Sequence, residues 1–233
     1  MMRRLGHSVI AAMLACACSP KAPAAQGPLA AAPAACKAEG HPLAHDTCDL
    51  KVDEMTMRVR FGNPPGAGTG RIEIDVLADD GTMLQTLTED DLGEYDYPAA
   101  RDFDGDGRTD VLITRQAGNA NLDQGVWRQS VDGTFVRVGE IDGVGTSKTA
   151  DGLVAAPARS SAAEWSVAFY HVDETGMLPI ATIAVAAHGD GAGKAKSISC
   201  TLTDAPGIAS LNLTRAEAEK KFCAEPAAGM FNE

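Results

Sequence analysis

The chain has 233 residues, enough for one large domain or two small ones, and its 45% share of hydrophobic residues is ordinary for a folded protein. Its charge is not ordinary: 20 Lys and Arg against 32 Asp and Glu leave a net charge of −12 at pH 7. So acidic a surface argues against nucleic acid as a partner and favours cations or basic proteins.

The N-terminus reads as an address. Met1-Met2-Arg3-Arg4 is a positive start, and the apolar run from Ser8 to Ala17, about ten residues, is too short to span a bilayer as a permanent helix. The end of that run, Leu14-Ala15-Cys16-Ala17-Cys18-Ser19, resembles a bacterial lipoprotein signal, in which a small residue precedes the cysteine that becomes lipidated. Cys16 and Cys18 both fit; Cys18, with a flexible stretch directly after it, is preferred, which makes 1–17 the signal peptide. Ser19 in place of Asp resembles the pattern sorted to the outer membrane, so the expected location is the periplasm, anchored there by N-terminal acyl chains. Residues 18–35 read as a tether: Ser19 to Ala35 holds eight Ala and four Pro in seventeen residues, with almost nothing to bury.

Between Cys36 and Cys48 lie His41 and His45, residue types that build zinc sites. Their spacing matches no standard zinc pattern and Pro42 interrupts it, so in an oxidising compartment a Cys36–Cys48 disulfide is the better reading. Cys200 and Cys223 then form the second bridge, one of three connectivities that four cysteines allow.

Alternating apolar and polar residues predict strands over Met55–Phe61, Arg71–Leu77 and Thr82–Thr88, with a turn at Ala78-Asp-Asp-Gly81. Asn63 to Gly70 is a glycine-proline loop that precedes a strand, not a helix, so a phosphate cradle is not expected. Further strands are predicted over Val111–Thr114, Gly125–Gln129 and Phe135–Val138, the last two paired around Asp132-Gly133. After a glycine-rich connection come four more, near Leu153, Trp165–His171, Met177–Ala187 and Ser197–Leu202. Thr214-Arg-Ala-Glu217 is a capping box opening a short helix that reaches Cys223. The expected class is therefore mainly β: antiparallel meanders in a sandwich- or propeller-blade-like domain with one short C-terminal helix. The divisions expected are a β domain over 36–140 and a second β-rich half over 141–233, unless the two are continuous.

One stretch makes a sharper chemical statement than any other. Glu89 to Asp110 carries nine acids against Arg101 and Arg108, and ends in Asp102-Phe-Asp-Gly-Asp-Gly-Arg-Thr-Asp110. Hard oxygen donors in a flexible turn are what Ca²⁺ takes. Against the EF-hand spacing Asp102, Asp104 and Asp106 fall at positions 1, 3 and 5, Arg108 offers its carbonyl at position 7, and Asp110 stands at position 9. Position 12 is Ile113 and a strand follows, so this is no helix–loop–helix sensor. The loop resembles the DxDxDG turn of FG-GAP and VCBS modules, where an ion braces a turn between strands. It occurs once, so a repeated adhesion-type propeller is not expected.

Signal, tether, meander, acidic loop running into Val111-Leu-Ile, the Trp127 hairpin and a cysteine-bearing β-rich half together resemble the periplasmic immunity lipoproteins of bacteria-killing type IV secretion systems, relatives of the periplasmic lysozyme inhibitors. That resemblance implies a calcium-binding protein that inhibits a peptidoglycan hydrolase by plugging its cleft. The turn Gly118-Asn119-Ala120-Asn121 and the acids Glu94 and Asp96 are the candidates to meet such a partner. No catalysis is expected: there is no GxSxG elbow, the cysteines are assigned to disulfides, and His171 and His188 stand apart. The rival readings are a calcium-dependent cell-wall or glycan-binding module, for which Trp127, Trp165, Tyr95 and Tyr97 are the aromatic candidates, and a structural envelope lipoprotein.

Overall fold

The alternation seen in the sequence becomes a stack of three sheets. A computed structural model describes residues 34–36, 47–62, 70–93, 98–189 and 195–232. All lie within one compact unit, 33–233. The first sheet runs β1 (Ala34–Ala35), β2 (Cys48–Val52), β3 (Met55–Phe61), β4 (Gly70–Leu77) and β5 (Met83–Leu92), in that spatial order. The second takes β6 (Ala99–Arg101), β7 (Asp110–Ala117), β8 (Leu122–Gln129) and β9 (Phe135–Gly143). The third takes β10 (Ser147–Lys148), β11 (Val154–Arg159), β12 (Glu164–Asp173), β13 (Gly176–Gly189) and β14 (Ala195–Asp204). Every pairing is antiparallel except the two-residue β1 against β2. Each sheet is thus a meander of consecutive strands, the pattern of a propeller blade, made three times.

The repetition is architectural: the acidic loop occurs once, yet the meander recurs. β9 runs past residue 140 to Gly143, and the third sheet begins four residues on. The predicted strands are all present; β1, β2, β6 and β10 were too short or too weakly patterned to read. The turns predicted at Ala78–Gly81 and Asp132-Gly133, and a third at Asp173, form as Asx turns, in which Asp80, Asp132 and Asp173 each accept the amide two residues on.

The middle sheet explains the stacking. In β7 residues 110–114 are buried in succession, the mark of a strand covered on both faces. Val111 and Ile113 pack into the core of the first sheet with Met57, Val59, Ile74 and Leu87. Leu112, pointing the other way, joins Val126, Val138 and Ile141 of its own sheet and Val154 of the third.

The outer face of the third sheet is closed by α1 (Arg215–Cys223). Both halves of its capping box form between Thr214 and Glu217. Its fully buried Phe222 lies with its ring centroid 4.5 Å from that of Phe169. Both expected disulfides are present, Cys36–Cys48 and Cys200–Cys223, and the second ties α1 to β14.

Candidate functional site

The acidic loop connects β6 to β7, and its side chains divide the work. Gly105 and Gly107, at φ of +72° and +87°, turn the backbone back over Asp102. The Asp102 carboxylate then accepts the amides of Gly105, Asp106 and Gly107 at 2.7, 3.1 and 3.0 Å. Asp110, wholly buried, accepts the amides of Phe103 at 2.9 Å and Gln129 at 2.8 Å, which pins the loop to the start of β7 and the end of β8. Burial pushes its carboxyl above the ordinary carboxylate range, more than the two amides lower it.

Asp104 and Asp106 meet a residue that the sequence did not single out. Arg128, on β8, donates Nε to Asp104 Oδ2 and Nη2 to Asp106 Oδ2, both at 2.5 Å, and Asp106 also pairs with Arg108. Lys148 of β10 donates to the Gly105 carbonyl at 2.8 Å. A Cβ on Gly105 would run into that lysine. Thr109 donates to Asp53, in the β2–β3 turn, at 2.9 Å. The loop therefore touches all three sheets.

Of the five ligands expected for calcium, the structure gathers the carboxylates of Asp102, Asp104 and Asp106, whose oxygens lie within 4.8 Å of one another. Asp110 is given to backbone amides instead, and one oxygen each of Asp104 and Asp106 is spent on guanidinium groups. Arg128 pairs with Asp104 and Asp106, Arg108 pairs with Asp106, and Lys148 stands at the Gly105 carbonyl, so part of the repulsion that called for an ion is already offset. As paired, this donor set does not suit a resident calcium ion, which takes six to eight oxygens.

The other candidate residues lie at the far end of β7, roughly 25 Å away at strand rise. Gly118 donates its amide to the Asn121 carbonyl at 2.8 Å, closing the β7–β8 tip. The Asn121 side chain then crosses to the third sheet: its Oδ1 accepts the Arg159 amide at 2.8 Å and its Nδ2 donates to the Arg159 carbonyl at 3.2 Å. Two hairpin tips are locked side by side, and the cleft between them, about 410 Å³, is lined by residues 118–121 and 159–162. Gly118 and Asn121 also border a smaller hollow of about 230 Å³ with Gln116, Asp123 and Asp142. Burial raises the Asp123 carboxyl above its ordinary range, against the pull of Arg115. Glu94 and Asp96, the other partner candidates, lie outside the described residues, as do Cys18, His41 and His45.

A second group unread in the sequence joins the first two sheets. Glu89 of β5, 3% exposed, accepts Arg137 through Nε and Nη2 at 3.0 and 2.6 Å and the Trp127 indole at 3.1 Å. Glu140 pairs with both Arg115 and Arg137 at 2.7 Å. Gly125 leaves the space for Glu89, since a Cβ there would stand 2.8 Å from its carboxylate. Trp127 is thus committed to Glu89, and Trp165 lies under the Arg159 guanidinium, 5.5 Å from the ring centroid. His188 bonds Ser199 at 2.8 Å on the third sheet, and His171 lies 3.8 Å from Asp173, so the structure does not bring the two imidazoles together.

No family model and no curated protein matches the sequence. Among solved structures, a chain described as the structure of a Xanthomonas type IV secretion system related protein superposes with a TM-score of 0.45 at 12% identity, over 71% of this chain and 91% of that one.

Proposed function

We propose that the chain is a lipid-anchored periplasmic protein that binds and inhibits a peptidoglycan hydrolase, an immunity protein of the kind that accompanies bacteria-killing type IV secretion. It has no chemistry of its own in this reading. The observation that carries it is the Asn121 bridge to Arg159, which fixes two hairpin tips around a polar cleft at one end of a stack of sheets. Surfaces held rigid before contact lose little entropy on binding, the property that an inhibitor of a preformed cleft requires. The net charge of −12 favours encounter with a cationic enzyme. The sequence resemblance set out above names the partner class.

The test mixes the purified mature chain with lysozyme-type muramidases, and with any secreted hydrolase encoded beside it, and follows the turbidity of cell-wall suspensions. Inhibition by the native chain that is lost in Ala120→Trp, which fills the cleft from an exposed position, is the expected result. Undiminished lysis by every enzyme, from a chain that melts cooperatively, would overturn the proposal. Sedimentation with insoluble peptidoglycan, without enzyme, would instead favour the glycan-binding alternative.

A further inference from the structure

The Asp102–Asp110 loop has the spacing of a calcium site and the pairing of something else. We infer that the guanidinium of Arg128 is the loop's resident counter-cation, standing in for the metal that the sequence pattern calls for.

The placement follows from the sheet. In β8, Val126 and Trp127 pair with Leu112 and Val111, so Arg128 comes level with Asp110, where the loop enters β7. Its side chain is only 9% exposed, and an arginine that deep is tolerated where carboxylates meet it. It meets two, through two different nitrogens, at the alternate loop positions Asp104 and Asp106 whose carboxylates a calcium ion would draw together. A planar fork with several donors is suited to bridging two carboxylates in a way that a lysine is not.

The neighbours complete the substitution. Arg108 adds a second guanidinium to Asp106, and Lys148 takes the Gly105 carbonyl. Asp102 satisfies three amides of the turn and Asp110 two more. The backbone of the loop is thus held by carboxylate–amide bonds and its charge by side-chain cations. The remaining Arg128 nitrogen, Nη1, is buried and finds no acceptor among the described residues. The other oxygens, Asp104 Oδ1 and Asp106 Oδ1, accept the amides of Asp106 and Arg108. A calcium ion drawing in both carboxylates would compete with the arginine on one side and the turn on the other. Displacing Arg128 would leave its guanidinium buried with nothing opposite. Arginine and metal therefore compete for the same carboxylates, and the arginine is covalently present.

The mature chain, stripped with chelator, is titrated calorimetrically with calcium chloride and melted in millimolar calcium and in chelator. The native chain is expected to give no binding heat and the same melting temperature in both. Arg128→Gln is expected to melt lower in chelator and to recover in calcium, because removing the guanidinium frees Asp104 and Asp106 as ligands. Arg128→Lys, which keeps the charge, should fall between the two in chelator. A native chain that binds calcium, or melts higher with it, overturns the inference. So does an Arg128→Gln variant weakened equally in calcium and chelator, which would make Arg128 a packing group. Should Arg128→Gln not fold, the native titration and the lysine variant decide alone.

Discussion

Asn121 holds both backbone polar groups of Arg159, completing across two sheets the pair of bonds that one strand ordinarily offers another. Asn121→Ala removes both and leaves the Arg159 amide and carbonyl to water. Each bond contributes about 1 kcal/mol net, so a stability loss of about 1–3 kcal/mol is expected by urea denaturation. In the proposed function, inhibition of a hydrolase should then fall more than tenfold, because the two tips are no longer held in register. Loss of stability with full inhibition would show that the tips are not the binding surface.

Gly125→Ala places a methyl group against the Glu89 carboxylate. Glu89 is almost fully buried and holds Arg137 and Trp127, so displacing it breaks a paired charge between the first two sheets. The expected cost is about 3–5 kcal/mol, read as a lower urea midpoint with an unchanged slope. Glu89→Gln, which keeps the shape and loses the charge, should also destabilise, since the guanidinium of Arg137, and that of Arg115 3.4 Å away, then face a neutral partner.

Acid should weaken the same junction in a calculable direction. Glu140 is held below its ordinary value of 4.5, first by the Arg137 hydrogen bond and then by Arg115. Since the folded value is depressed, its contribution is complete above pH 4.5 and is lost as pH falls through the lower folded value. Glu140→Gln should therefore flatten the dependence of melting temperature on pH between about 5 and 3. Asp110 acts in the opposite sense, because its raised carboxyl value favours the fold as it protonates. An unchanged profile in Glu140→Gln would assign the acid sensitivity elsewhere.

The third sheet depends on its helix. Replacing both Cys200 and Cys223 by Ser opens the bridge that ties α1 to β14, at an expected cost of about 2–4 kcal/mol. Phe222→Ala empties the site against Phe169 and should cost about 3–5 kcal/mol. Both are measured by thermal melting, and near-native stability in either would mean that α1 is a dispensable cover.

Strands with strict alternation, such as Arg71–Leu77, were legible because half-burial imposes a period of two. The capping box at Thr214 and both cysteine pairs were legible for equally local reasons. The short strands β6 and β10 were not, since two or three residues carry no period. The candidate sites show the same division. The run of carboxylates in 102–110 announces itself in the chain, whereas Arg128 and Lys148, which meet it, come from other strands and show no local sign of it. The one available clue was an arginine in β8 directly after Val126 and Trp127, because a buried guanidinium needs carboxylates. The same holds for Glu89, lost beside Asp90 and Asp91 until the fold shows it buried while those two are exposed.

The opposed directions of Leu112 and its neighbours Val111 and Ile113 make β7 answerable to two interiors at once. A shift of one residue would exchange their occupants together, so an insertion or deletion within the strand is intolerable. Substitutions at the exposed Asn119 and Ala120 carry no such penalty, since they leave the register and the Gly118–Asn121 closure in place. The crest of the tip can therefore drift in sequence while the stack behind it, and the asparagine that moors it, stay fixed.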